Sequence, residues 1–128
     1  MQLVLYTHAF LTSLVFTCAV ETAVLFIFVR YWLKGKQRMA DIVFAGVFAS
    51  FATIAYVWYV FPVMAKWPMS AAALWWAEAF AFAVEAVFYR FFLKLSWRDA
   101  FIASLIANAA SFLGGRPLGA GGGWGGWL

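Results

Sequence analysis

Between residues 3 and 29 this 128-residue protein carries one charged side chain, Glu21, and between residues 42 and 64 it carries none. A third apolar run, residues 71–93, holds only Glu78, Glu85 and Arg90, and a fourth, residues 100–113, holds no charge at all. A helix needs about 20 apolar residues to cross the hydrocarbon core of a bilayer. The first three runs meet that length despite their isolated carboxylates. The fourth, with 14 residues, is short. It reaches across only if Gly114 and Gly115 stay helical and Arg116 lays its charged head outward, so the expectation is a helix that ends early or a locally thinned bilayer.

Composition decides between a membrane and a water-soluble core. The chain is 67% hydrophobic and 11% charged, with mean hydropathy +0.90. A soluble domain is nearer half apolar and a quarter charged. A domain of this length leaves much of its surface wet, so lipid is the expected solvent. The first run lacks a basic leader and is longer than the apolar part of a signal peptide; it reads as a retained helix. The net charge of +4 comes from nine basic residues scattered between apolar runs. That distribution argues against nucleic acid as a partner.

Orientation follows from the basic residues. Arg30, Lys34, Lys36 and Arg38 lie between runs one and two, and Arg90, Lys94 and Arg98 between runs three and four, against Lys66 and Arg116 on the other side. The positive-inside rule then makes the links at 30–41 and 94–99 cytoplasmic and turns both termini outward. A prokaryotic inner or plasma membrane is the expected location. Trp32 and Trp97 fall at the inner interface, and Trp67, Trp124 and Trp127 at the outer one. Trp58, Trp75 and Trp76 fall deeper.

The two halves resemble each other. AVETAVLFIFVR (residues 19–30) aligns with AVEAVFYRFFLK (83–94), matching Glu21 to Glu85 and Arg30 to Lys94. DIVFAGVFASFAT (41–53) aligns with DAFIASLIANAAS (99–111), matching Asp41 to Asp99, Ala45 to Ala103, Ala49 to Ala107 and Thr53 to Ser111. The link between the matches is six residues shorter in the second half. The expected fold is an all-α integral membrane protein with four transmembrane helices, built as two tandem helical hairpins of the same orientation and related by an axis along the membrane normal. The bundle covers residues 1–115, with one repeat near 1–64 and the other near 71–115. Residues 116–128 form a Gly/Trp-rich flexible tail.

Local signals fit this plan. Asp41 and Asp99 sit where runs two and four begin, suited to capping free backbone N–H groups, and SWRD (96–99) matches the capping-box pattern. In run two Ala45, Ala49 and Thr53 are spaced by four, as are Ala103, Ala107 and Ser111 in run four. Small residues at that spacing allow close helix approach in lipid, so runs two and four are expected to pack against each other.

Each run also carries one polar stripe: Ser13, Thr17 and Glu21; Gly46, Ser50 and Thr53; Glu78, Glu85 and Tyr89; Ser104, Asn108 and Ser111. Hydrocarbon satisfies none of these groups, and a carboxylate at the bilayer centre costs about 2.5–3.5 kcal/mol on insertion scales. The stripes should therefore face one another or a partner. The expected pairing is a protonated Glu21 or Glu85 hydrogen-bonded to Asn108, Ser50 or Ser111. Glu78, nearer the outer side, is expected to meet water or a partner. These six residues are the candidate functional positions.

Enzymatic chemistry has little to stand on. His8 is the single histidine and Cys18 the single cysteine. Ten residues apart on one helix, they are too distant for a nucleophile and its base. No metal-ligand spacing and no phosphate loop is seen, and no cofactor is expected beyond bound lipid. The first expectation is a non-catalytic subunit or accessory component of a larger membrane complex, with other membrane subunits or self-association as partners. The second is a small oligomeric transporter or channel using Glu21 and Glu85 as a proton- or cation-coupled site. A glutamate in the first span of a small four-span protein resembles the small multidrug-resistance transporters. That resemblance is confined to Glu21 and overall size, and no further motif extends it.

Overall fold

The computed structural model describes residues 2–60 and 71–115, and everything described is helical or a short link. Helix α1 is Gln2–Ile27 and runs on through a wider π-helical turn at Phe28–Trp32. Helix α2 is Met39–Ala55, extended by a second such turn at Tyr56–Val60. Helix α3 is Ala71–Phe92 and α4 is Trp97–Gly115. Two of these four are long and apolar enough to cross a membrane, Thr7–Trp32 and Met39–Val60.

The four helices form a closed ring of neighbours, in which α1 packs on α2, α2 on α3, α3 on α4 and α4 on α1. The expected pairing of runs two and four is therefore wrong: α2 and α4 stand on the diagonal. Their small residues serve α1 and α3 instead. Gly46 shows why, because a Cβ there would lie 2.6 Å from Thr22 Oγ1 and 2.8 Å from Thr22 Cα. The rows Ala45, Ala49, Ala103 and Ala107 are buried in the same manner, and all but Ala107 share a core with bulky Leu25, Phe28, Tyr89 and Leu93.

Helix α4 also departs from expectation. It stays helical through Gly114 and Gly115 and has 19 residues, not 14. At 1.5 Å per residue that is about 28 Å. Gly114 is accommodated without crowding, since a Cβ there would only touch Phe16 at 3.4 Å. Arg116 and the tail, like Trp67, Trp124 and Trp127, lie outside the described residues.

The helix starts use the two aspartates in different ways. Ser96 Oγ accepts the Asp99 N–H at 3.1 Å, so Ser96 caps α4 and Asp99 sits in its first turn. Asp41 is likewise inside the first turn of α2, with Arg38 at the cap position. Its carboxylate takes two bonds from the Arg38 guanidinium, both at 3.1 Å. That hydrogen bonding, and then the charge of Asp41, raise the Arg38 pKa above its ordinary value. Both aspartates complement the positive helix end, but neither acts as the cap residue that the sequence suggests.

The helix ends share one device. Leu33–Lys34 and Leu93–Lys94 close α1 and α3, and both lysines are left-handed, with φ of 52° and 55°. Lys34 lies thirteen residues after Glu21 and Lys94 nine after Glu85, so α1 runs four residues, one turn, further. The structural counterpart of Lys94 is thus Lys34, and that of Arg30 is Arg90. The two links are tied together by Gln37, whose Nε2 donates to Leu93 O at 2.9 Å. Arg30 braces the first link by donating to Gly35 O and Gln37 O, while Arg90 lies over the rings of Phe91 and Trp97.

Of the deeper tryptophans, Trp58 is buried, with Phe10 edge-on at 5.8 Å, whereas Trp75 and Trp76 face outward. Trp32 and Trp97 are exposed near the helix ends at the two links.

Candidate functional site: a caged carboxyl pair

Glu21 and Glu85 meet in the bundle interior. They are 2% and 1% exposed. Each carboxyl is held by two side chains from other helices. Ser50 of α2 donates to Glu21 Oε2 at 2.5 Å and Ser111 of α4 to Glu21 Oε1 at 2.7 Å. Thr53 of α2 donates to Glu85 Oε1 at 2.9 Å and Asn108 of α4 to Glu85 Oε2 at 2.5 Å. All four carboxyl oxygens therefore have donors, which is what burial in an apolar interior demands. The two carboxyls are thus held side by side by the same two helices, α2 and α4.

The four bonds obey an exchange rule. Swapping α1 with α3 and α2 with α4 turns Glu21–Ser50 into Glu85–Asn108 and Glu21–Ser111 into Glu85–Thr53. One bond of each carboxyl stays within its own half of the protein, and the other crosses to the opposite half. Local sequence explains the placement. Ser50 and Thr53 lie about one turn apart on α2, as do Asn108 and Ser111 on α4, and the small residues Gly46, Ala49, Ser104 and Ala107 one turn before them keep the neighbouring helices close.

The donors have alternative acceptors. The Ser50 hydroxyl is 2.7 Å from Gly46 O, that of Thr53 is 2.9 Å from Ala49 O, and that of Ser111 is 3.1 Å from Asn108 O. Asn108 differs, because its Nδ2 also donates to Ser104 O at 2.9 Å. A carbonyl only accepts, so that contact fixes the amide's nitrogen toward Glu85. Ser104 is itself held, donating to Phe82 O at 2.8 Å.

Of the six candidate positions, five thus come together: Glu21, Glu85, Asn108, Ser50 and Ser111. Glu78 does not join them. It lies two turns before Glu85 on α3 and is only half-buried. Two members fall outside the candidate set. Thr53 stands on the polar stripe of run two and is the repeat mate of Ser111, and those are its signals in the sequence. Tyr89, one turn after Glu85, is fully buried and its hydroxyl has no partner; its place on the Glu78–Glu85 face is the available signal. Thr22 Oγ1, beside Glu21 in sequence, is a second unpartnered buried hydroxyl.

Elsewhere, His8 is exposed, and its backbone carbonyl accepts from Thr12 Oγ1 at 2.9 Å. Cys18 is half-buried and lines an open apolar groove of about 410 Å³ between α1 and α2, with Phe26, Met39, Val43 and Val47. No group of three or more metal-ligating side chains occurs among the described residues. The sequence matches no protein family, no curated protein and no solved structure.

Proposed function

We propose that this is a small integral membrane protein with four spans, arranged as two tandem hairpins of one orientation. Although α3 and α4 are less apolar than α1 and α2, their mid-helix polar residues Glu85, Ser104, Asn108 and Ser111 turn inward. Their outward faces carry Trp75, Trp76, Val87, Phe91, Phe101 and Leu105. At 22 and 19 residues they measure about 33 and 28 Å, against a hydrocarbon core of about 30 Å. The exchange rule of the four carboxyl bonds supports the duplication. The seven basic residues at the two links support a cytoplasmic location for those links in a prokaryotic inner membrane, with both termini outside.

Within that frame the protein acts as a non-catalytic subunit or accessory component of a larger membrane complex. One observation carries this reading: every oxygen of the buried carboxyls is taken up by a side chain of the same molecule. The polar interior serves to lock helices, which leaves the outward surface as the working one. That surface includes a closed square of phenylalanines, Phe44–Phe48–Phe88–Phe92, with centroids 5.2–5.5 Å apart. It seals the α2–α3 seam and offers a firm apolar face to a neighbouring helix. Native mass spectrometry of gently extracted protein tests this. Fixed stoichiometry with other polypeptides is the expected result.

A second reading is favoured by the meeting of Glu21 and Glu85, namely a small oligomeric transporter or channel coupled to protons or cations. A symmetric homo-oligomer without partners, and transport abolished by Glu21→Gln or Glu85→Gln in a folded protein, would move the assignment there.

A further inference from the structure

We infer that the Glu21–Glu85 pair is a proton-binding site: the two carboxyls hold one exchangeable proton between them, in a cage that accepts either glutamate as its bearer. The inference rests on the membrane-spanning reading of the bundle and not on the choice between subunit and transporter.

The first support is contact. A hydrogen bond between two carboxyl groups needs a donor, and a carboxylate has none. Helix α2 holds both carboxyls, through Ser50 and Thr53 three residues apart, and α4 holds both again, through Ser111 and Asn108, so the two groups stand side by side and one proton between them completes the pair. A second proton would leave Glu85 Oε2 facing the fixed Nδ2 of Asn108 with less charge to receive that bond. With no proton at all, two anions would be in contact in a medium of low dielectric.

No cation among the described residues offsets them. Arg30 donates to link carbonyls, Arg90 lies over the Phe91 and Trp97 rings with its Nε unpartnered, and Arg38 is paired with Asp41. The ionisable groups near the pair are Cys18 on α1 and Glu78 and Tyr89 on α3. Helices α2 and α4 present only Ser50, Thr53, Asn108 and Ser111 here, with Asp41 and Asp99 in their first turns, nine residues before Ser50 and Asn108.

The second support is the cage. A hydroxyl has one hydrogen, yet Ser50, Thr53 and Ser111 each face both a carboxyl oxygen and a backbone carbonyl. When the neighbouring glutamate is charged, the hydroxyl donates to it. When that glutamate carries the proton, its O–H points to the other carboxylate, and the hydroxyl is free to turn to the carbonyl. Moving the proton breaks one carboxyl O–H bond and forms the other, and it needs only hydroxyl rotations.

The third support is Tyr89. Its buried, unpartnered hydroxyl stands one turn from Glu85 and within range of both carboxyl charges. It is a donor kept in reserve beside the cage, within the buried core.

The test is infrared spectroscopy of the full-length protein in lipid nanodiscs, with glutamate carboxyl carbons isotopically labelled, in H2O and D2O at neutral pH. The Glu78→Gln variant removes the third membrane carboxyl from the spectrum. One protonated glutamate carboxyl per molecule is expected, shifting in D2O and absent from the further Glu21→Gln/Glu85→Gln variant. Zero or two would overturn the inference, as would a band that persists when both are replaced. If that variant fails to fold, the count in Glu78→Gln alone still decides. Loss of the band when sodium replaces potassium would mean that the pair takes a metal ion, which also overturns it. Flotation with liposomes checks the membrane reading separately.

Discussion

Glu21 and Ser111 are 90 residues apart in sequence and 2.7 Å apart in space, with the Ser111 hydroxyl donating to Oε1. This bond joins the first helix to the last and closes the ring of four. Its counterpart joins Thr53 to Glu85 and closes the other seam at 2.9 Å.

Because these two bonds are counterparts, Ser111→Ala and Thr53→Val should weaken the bundle to a similar degree. Interhelical side-chain bonds in membranes contribute about 0.6 kcal/mol on average and up to about 1.7. Unfolding from mixed micelles by SDS titration measures both. A large loss in one variant beside none in the other would break the equivalence.

Gly46 and Gly114 both lie in helices, yet replacement by alanine should have opposite effects. At Gly46 the new methyl would press on the Thr22 backbone, and such overpacking costs about 1–3 kcal/mol. At Gly114 the methyl makes an ordinary contact with Phe16 and gains up to about 1 kcal/mol of helix propensity. The same titration should show the midpoint falling for Gly46→Ala and rising for Gly114→Ala.

Lys34 and Lys94 hold a left-handed conformation that costs a residue with a Cβ about 1–2 kcal/mol. Lys94→Gly should therefore stabilise the bundle, offset in part by the greater freedom of glycine when unfolded. A lowered SDS midpoint would mean that the lysine side chain contributes more than its backbone costs.

Cys18 is the single thiol, and it lines a groove whose walls are almost wholly apolar. In sealed vesicles it should resist a charged maleimide from both sides and become reactive once the bundle is unfolded in SDS, because the thiolate is the nucleophile and an apolar groove disfavours it. Rapid labelling by the charged reagent would place α1 in water and contradict the four-span reading.

How far the sequence discloses this arrangement can be judged residue by residue. Glu21 and Glu85 are conspicuous because an isolated carboxylate in an apolar run must be satisfied somewhere. Ser50, Asn108 and Ser111 follow as the polar groups on the facing stripes. Which helices are neighbours is hidden. Rows of small residues on α2 and α4 indicate close approach, but they fit a bulky partner as well as a small one, and here the partners are α1 and α3. Helix ends are hidden too. Run length counts apolar residues, whereas a helix continues through Gly114, Gly115, Arg98 and Asp99 as long as its backbone bonds are made. The extra turn of α1 escapes for the same reason: matching letters from Glu21 onward cannot register four residues gained before Lys34.

The exchange rule of the carboxyl cage bears on how such a protein becomes committed to its fold. Each hairpin brings one acid and two donors, but only one of those donors reaches its own acid. A lone hairpin is therefore left with a carboxyl oxygen unmet and with Thr53 or Ser111 turned back to its own backbone, and its mate offers what that oxygen lacks. Each half thus completes the hydrogen bonding of the other's acid. A single hairpin released early from synthesis would be driven to seek another copy of itself.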